Sequence, residues 1–407
     1  MLENNQRRYL GILGFAVFLL VPSFDTVFKY TGIKGILAYF LAGTFLLLIG
    51  DRFILPIIQT KLTEKHANIL VVFTLIALIA MVVYAYPLAN SGRYGNGSDS
   101  DDALIIGASE LLKVHYPYYL QTYLGNNVSP MPGAILFAVP FVLVGMFPFQ
   151  NVFWFIILFI FVRQISGSSN FSLGLLWVIL LFSPTVLWNF VTGSDYASNS
   201  IYVVFFIWVL VRKASDQTAA EWKRLIPAIL LGVALSSRSN FLLLLPLLLS
   251  VLVQTAGWRP AIKYLAVSGV SFLLVTVPFW LYDPQGFTPL YAQGSKVRGL
   301  NEVLPFAGII IPASALLLAS ILSLQNLKMD CARFFRNCAI VQLFVLLFTC
   351  GVSSIKLGNL DLFLGQAGYG MFTLFFGTIA GWMMHNGVAG KEWGSGNVRL
   401  ERDLLVP

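Results

Sequence analysis

Asp99, Asp101 and Asp102 crowd into "SDSDD", at the start of a stretch where Leu104, Ile105, Ala108, Leu111 and Leu112 recur with the rhythm of an amphipathic helix. Carboxylates at such a place can cap orphan N–H groups and complement the helix dipole. One of them can instead take a proton from a hydroxyl nucleophile. A divalent cation is not favoured, because the loop lacks a full set of oxygen ligands at recognised spacing, and no cofactor is expected. Continued through the helix, Asp102 falls on the watery side and Asp101 nearer the apolar face, so Asp102 is the preferred base and Asp101 the alternative. His115-Tyr116-Pro117-Tyr118-Tyr119 follows. These aromatics read either as an interfacial belt or as substrate contacts, with Asp99, His115, Tyr118, Asp195 and Tyr282 the candidates. Three cations are of interest. Arg238, in "SSRSN", is either a snorkelling anchor or a fork for a phosphate, beside small residues that leave room for a head group. Lys296 and Arg298 are either solvated loop charges or further phosphate contacts.

The elements that must carry these groups are membrane-spanning. Of 407 residues, 57% are hydrophobic and 11% charged, against about 25% charged in soluble domains. The net charge of +8 does not point to nucleic acid, because the basic residues are scattered singly between apolar runs. Spans of about 20 residues are predicted near 9–25, 35–50, 68–87, 171–190, 199–212, 225–238, 241–255, 264–281, 304–325, 338–352 and 368–385. The stretch 132–163 is long enough for two crossings, but a second one would put the clusters around Arg212, Lys213, Lys223 and Arg224, and around Arg333 and Arg336, outside. The positive-inside rule selects one crossing. The expectation is therefore an all-α polytopic membrane protein of about twelve spans with both termini cytoplasmic. External loops are expected at 88–131, 282–303 and 353–367, with an interfacial helix in the first. Residues 1–385 form one transmembrane domain and 386–407 a loose cytoplasmic tail. No cleavable signal is expected after Arg7 and Arg8. Cys331 is placed in a cytoplasmic loop, which argues against a structural disulfide.

An acidic residue opening an external amphipathic helix, a Leu-Leu pair some ten residues on (Leu111, Leu112), then Pro117-Tyr118, then the turn Pro130-Met131-Pro132-Gly133 into the membrane, resembles the GT-C superfamily of integral-membrane glycosyltransferases. "GVALSSRSNFLLLLPLLL" and "VPFWLYDPQGF" fit the same ordered pattern, over roughly residues 85–290. The sequence departs from it in three places: two spans precede the one feeding the acidic loop, Pro-Met-Pro-Gly replaces Pro-Pro-Gly, and Lys113-Val114-His115-Tyr116 replaces a Gly-containing tetrad. The resemblance implies a polyprenyl-phosphate sugar donor, a catalytic aspartate in the first large external loop, and a glycan, lipid or protein acceptor. The expected setting is the external, periplasmic face of a bacterial plasma membrane.

The rivals are a lipid-linked glycan flippase or transporter, and a ligase or polymerase of the O-antigen type. A transporter requires ionisable residues or broken helices near mid-membrane, and the predicted spans have almost none.

Overall fold

The structure is a computed structural model and describes residues 2–91, 98–216, 218, 220–290, 299–325, 330–362, 369–388 and 393. Among these no strand forms, and a lone bridge pairs Gln121 with Asn127. The helices are α1 (Leu2–Leu20), α2 (Phe24–Ile49), α3 (Leu55–Lys61), α4 (Glu64–Ala89), α5 (Ser100–Leu112), α6 (Pro132–Leu143), α7 (Gln150–Ser166) and α8 (Ser169–Phe182). They continue with α9 (Pro184–Thr192), α10 (Tyr196–Ser215), α11 (Glu221–Leu235), α12 (Leu245–Ala256), α13 (Trp258–Tyr282), α14 (Ala307–Gln325), α15 (Cys331–Leu357) and α16 (Gly370–His385). Among the described residues eight helical stretches are long and apolar enough to cross a membrane, or nine if the bent pair α8 and α9 is one span.

The pattern of burial fits a lipid solvent. Helix α10 sits in the middle, and the large apolar core gathers around it from α1, α7, α8, α11, α12, α15 and α16. Helices α4, α13 and α14 instead leave large side chains such as Phe73, Leu274 and Leu317 exposed. In water that area would cost about 25 cal/mol per Å²; against hydrocarbon it costs nothing.

Polar contacts mark the two ends of the bundle. At one, Glu64 accepts from Ser168 and Ser169, Arg212 donates to Gln164, and Lys263 pairs with Glu221. At the other, Tyr86 meets Asp101, Tyr116 meets the end of α13, and Arg238 meets Asp195. Helix α6 begins and ends at this second face: the Gly133 N–H donates to the Ser236 carbonyl, and Phe147, just beyond the helix, lies against Gly193. Within 132–163 only the run ending in α7 has crossing length.

Several expectations need correction. The single span at 171–190 is two helices, α8 and α9, bent by 84° at Ser183–Pro184, because proline removes a donor and disfavours helix at the residue before it. Broken helices inside a membrane persist where side chains satisfy the freed backbone. Here Tyr39 Oη donates to the Phe182 carbonyl and Ser23 Oγ accepts from the Thr185 N–H. Cys331 lies not in a loop but at the buried first residue of α15. The tail is not wholly loose, since Trp393 packs on Phe334 and Phe335; residues 389–392 and 394–407 lie outside the described ones.

The seat of α6 depends on a missing side chain. A Cβ on Gly133 would lie 2.2 Å from the Val233 carbonyl oxygen and 2.8 Å from the Ser236 carbonyl carbon, and backbone cannot move aside cheaply. Gly133→Ala is expected to cost about 1–3 kcal/mol, the usual range for overpacking, read as a lower melting temperature in detergent. Gly269→Ala is the control, with nothing within 4 Å of the added carbon, and should not lower it.

Candidate functional site

The site lies where the N-terminus of α5 meets the turn 193–196 and the turn 236–238. Helix α5 starts at Ser100, and its position in the fold comes from Leu104 and Ala108, which bury against Ile135 and Ala138 of α6. Asp99 occupies the N-cap position but its side chain makes no capping hydrogen bond. Its Oδ2 accepts instead from Thr122 Oγ1 (2.7 Å) and Asn126 Nδ2 (2.8 Å). Asp102 Oδ2 accepts from the Tyr123 N–H at 2.8 Å. Both carboxylates thus tie the strap 116–128 down over the helix.

Asp101 is different. It is 5% exposed, on the inward side as helical phase requires. Its Oδ2 accepts from Tyr86 Oη at 2.6 Å and Asn90 Nδ2 at 3.0 Å. Its Oδ1 is buried with no hydrogen-bond partner among the described residues. Burial pushes the Asp101 carboxyl above the usual carboxylate range, while the Tyr86 bond and the N–H groups of the helix start pull the other way. One oxygen is therefore fixed and the other unmatched, a geometry suited to accepting a proton.

Gly193 joins this carboxylate to the cation. In the left-handed region (φ 69°), it brings the turn so close that an added Cβ would meet Asp101 Cβ at 3.0 Å and a Tyr86 ring carbon at 2.8 Å. Two residues on, Asp195 Oδ1 accepts from Arg238 Nη2 at 2.8 Å, and Asn199 Nδ2 donates to Asp195 Oδ2 at 2.9 Å. The guanidinium lies over the Tyr196 ring, 4.6 Å from its centre.

Arg238 is 6% exposed, so it neither snorkels nor stands alone. Of the small residues beside it, Ser236 and Ser237 are fully buried and donate to the carbonyls of Val233 and Ala234, whereas Ser239 and Asn240 are half-buried. The Arg238 Nε–H is buried without a partner among the described residues. Asp195 holds the N-cap position of α10, but its carboxylate serves Arg238 and Asn199 rather than the helix start.

The remaining candidates scatter. His115 Nδ1 meets Glu110 at 3.0 Å on the surface, and Lys113 meets the same carboxylate; these two contacts hold Glu110 below the usual range. Tyr118 is buried against Phe279 and Phe287, so it packs rather than presents. Tyr282 is exposed and stacks on Tyr116. Lys296 and Arg298 lie outside the described residues. Among the described residues no group of three or more His, Cys, Asp or Glu is placed to hold a metal ion.

Comparison with family models, curated proteins and solved structures finds no match to this chain. What the site does must therefore be argued from its own residues.

Sequence reasoning missed Tyr86, Asn90, Asn199 and Gly193. The first two carried a legible signal, since Tyr86 and Asn90 are four apart at the end of an apolar helix and so share a face. Gly193, before "SD", had none, because which wall it faced depended on the fold.

Proposed function

We propose that the protein is a GT-C-like glycosyltransferase that moves a sugar from a polyprenyl-phosphate donor to an acceptor hydroxyl at the face carrying α5. The single observation that supports this most is Asp101, a buried carboxylate with one oxygen held by Tyr86 and Asn90 and the other unmatched. In the proposed step the acceptor oxygen attacks the anomeric carbon and its proton passes to Asp101 Oδ1. The bond from that carbon to the phosphate oxygen breaks, and polyprenyl phosphate leaves with the electron pair, inverting the anomeric centre. A phosphate leaves readily when its charge is held, so one base and one cation suffice. Asp101 replaces Asp102 as the preferred base, because burial raises the Asp101 carboxyl toward the range a base needs, while Asp102 ties down the strap through the Tyr123 N–H. Arg238 is the cation: Asp195 holds it through Nη2, and its unmatched Nε–H is the donor we assign to the leaving phosphate. A buried donor without a partner calls for such an explanation.

The accompanying thread has twelve crossings and places Asp102 and Arg238 on the non-cytoplasmic side of a bacterial plasma membrane, with Lys213 and Arg333 inside. Single-cysteine variants, made after replacing the three native cysteines, test it in spheroplasts. Lys113→Cys is expected to react with an impermeant maleimide and Arg333→Cys only after permeabilisation. Labelling of position 333 from outside would invert the thread and remove the site. A structure determined with donor bound tests the chemistry: density for a lipid phosphate within hydrogen-bond reach of Arg238 supports it, and a phosphate elsewhere does not.

The bend between α8 and α9 gives the transporter reading one feature that the predicted spans lacked. At the bend itself Tyr39 and Ser23 bond to the backbone. Helix α2 brings two ionisable side chains close by, Asp25 through Thr26 and Lys29 over the Trp188 ring, which are the groups a carrier would use. The buried Asp101 and Arg238 at the face of α5 favour sugar transfer.

A further inference from the structure

The strap from Tyr116 to Tyr123 runs back along α5, from the helix C-terminus to its N-terminus. At one end Tyr116 Oη donates to the carbonyls of Phe279 (3.0 Å) and Asp283 (3.3 Å). At the other, Thr122 and Tyr123 bind Asp99 and Asp102. The distance covered is that of the helix, about 18 Å for its length at 1.5 Å per residue. Tyrosine rings stand along it. Tyr282 is 71% exposed, Tyr119 59% and Tyr123 58%. Tyr116 lies between the first two, stacked on Tyr282 at 5.1 Å and 4.7 Å from Tyr119. Tyr118 anchors the strap from below through Phe279 and Phe287. The ends carry carboxylates, Asp283 at one and Asp99, Asp101 and Asp102 at the other. Lys113 and His115, the basic side chains of this strap and helix, both pair with Glu110.

We propose that this track, Tyr282–Tyr116–Tyr119–Tyr123, binds a neutral saccharide chain and delivers its end to Asp101. The identification of that chain as the acceptor rests on the transferase reading; the binding does not. A sugar ring has an apolar C–H face and a rim of hydroxyls. Tyrosine faces cover the first at little entropic cost, and carboxylates accept from the second. The same carboxylates repel phosphorylated or uronic chains, which is why the chain is neutral. The competing occupant is the outer leaflet itself, because Leu112, Val114, Leu120 and Leu124 are exposed in the same region.

Ligand-observed saturation-transfer NMR on the full chain in lipid nanodiscs separates these. The probes are soluble oligomers of mannose, glucose, N-acetylglucosamine and arabinose, with oligogalacturonate as the anionic one. At least one neutral oligomer is expected to receive saturation, and the anionic one none. Tyr119→Ala and Tyr282→Ala remove exposed rings and should each weaken binding about tenfold, the equivalent of one lost aromatic contact, while Tyr9→Ala, which removes an exposed ring of α1 outside the track, retains it. Binding with these properties in a protein that never releases polyprenyl phosphate would keep the track and end the transferase reading. No neutral oligomer bound, undiminished binding by Tyr119→Ala and Tyr282→Ala, or binding of the anionic oligomer alone would overturn the track. So would quenching of Tyr119→Trp by lipids brominated in their acyl chains, which would assign the strap to the bilayer.

Discussion

Asp101→Asn is expected to lower sugar transfer by about 10²-fold or more while leaving the folded protein as stable as the wild type, or more so. The two halves of this result have one cause. Burial raises the Asp101 carboxyl in the folded protein. A group whose folded pKa is raised contributes stability below its unfolded pKa, and that contribution is lost as pH rises through the folded value. At neutral pH the ionised form is therefore a cost, which asparagine removes while keeping an acceptor for Tyr86. The melting temperature of the variant should match or exceed the wild type at neutral pH, and any advantage should shrink on acidification. Activity runs the other way. A base must be deprotonated, so wild-type turnover should rise with pH through the raised pKa and stay low below it. Asp102→Asn and Asp99→Asn differ in kind: each loosens the strap over α5, with smaller losses in turnover and a lower melting temperature.

The second large effect concerns the pair of Arg238 and Asp195. Removing one partner of a buried ion pair leaves an uncompensated charge and costs about 3–5 kcal/mol. Arg238→Ala and Asp195→Ala should each be strongly destabilised, whereas the double variant should recover most of the loss, the signature of direct coupling. Stability alone does not establish a role in transfer, and Arg238→Lys supplies the distinction. Lysine restores a charge to Asp195 but not the planar fork with its spare N–H groups. If Arg238 holds the leaving phosphate, the Lys variant folds and its donor-dependent turnover stays low, because the phosphate gains charge as the sugar leaves. If Arg238 serves only to hold Asp195, lysine rescues both melting temperature and turnover.

How much of the molecule is legible in its sequence varies with the physical range of the signal. Hydropathy and the period of Leu104, Ala108 and Leu111 are local, and they locate the apolar helices and α5 within a few residues. Charge asymmetry across 132–163 favours one crossing there, and α6 does begin and end at one face. The break at Ser183 is also local, since Ser183-Pro184 is in view, but the apolar run on both sides masks it. The site is only partly legible. The residue types of Asp101, Asp195 and Arg238 stand out, but Arg238 reads as a lone cation because its partner lies 43 positions away. Helical phase does turn Asp101 toward the apolar face, but how completely it loses its water is not local. That depends on Gly193 arriving from another part of the chain.

The most direct test of the transferase reading is release of polyprenyl phosphate by purified protein in nanodiscs, measured with a panel of radiolabelled polyprenyl-phosphate sugars and a lysate-derived glycan fraction. At least one donor is expected to be consumed by the wild type, with its label moving to the glycan fraction, and Asp101→Asn should consume none above background. Equal turnover by Asp101→Asn, or release by the variants without label transfer, would contradict it.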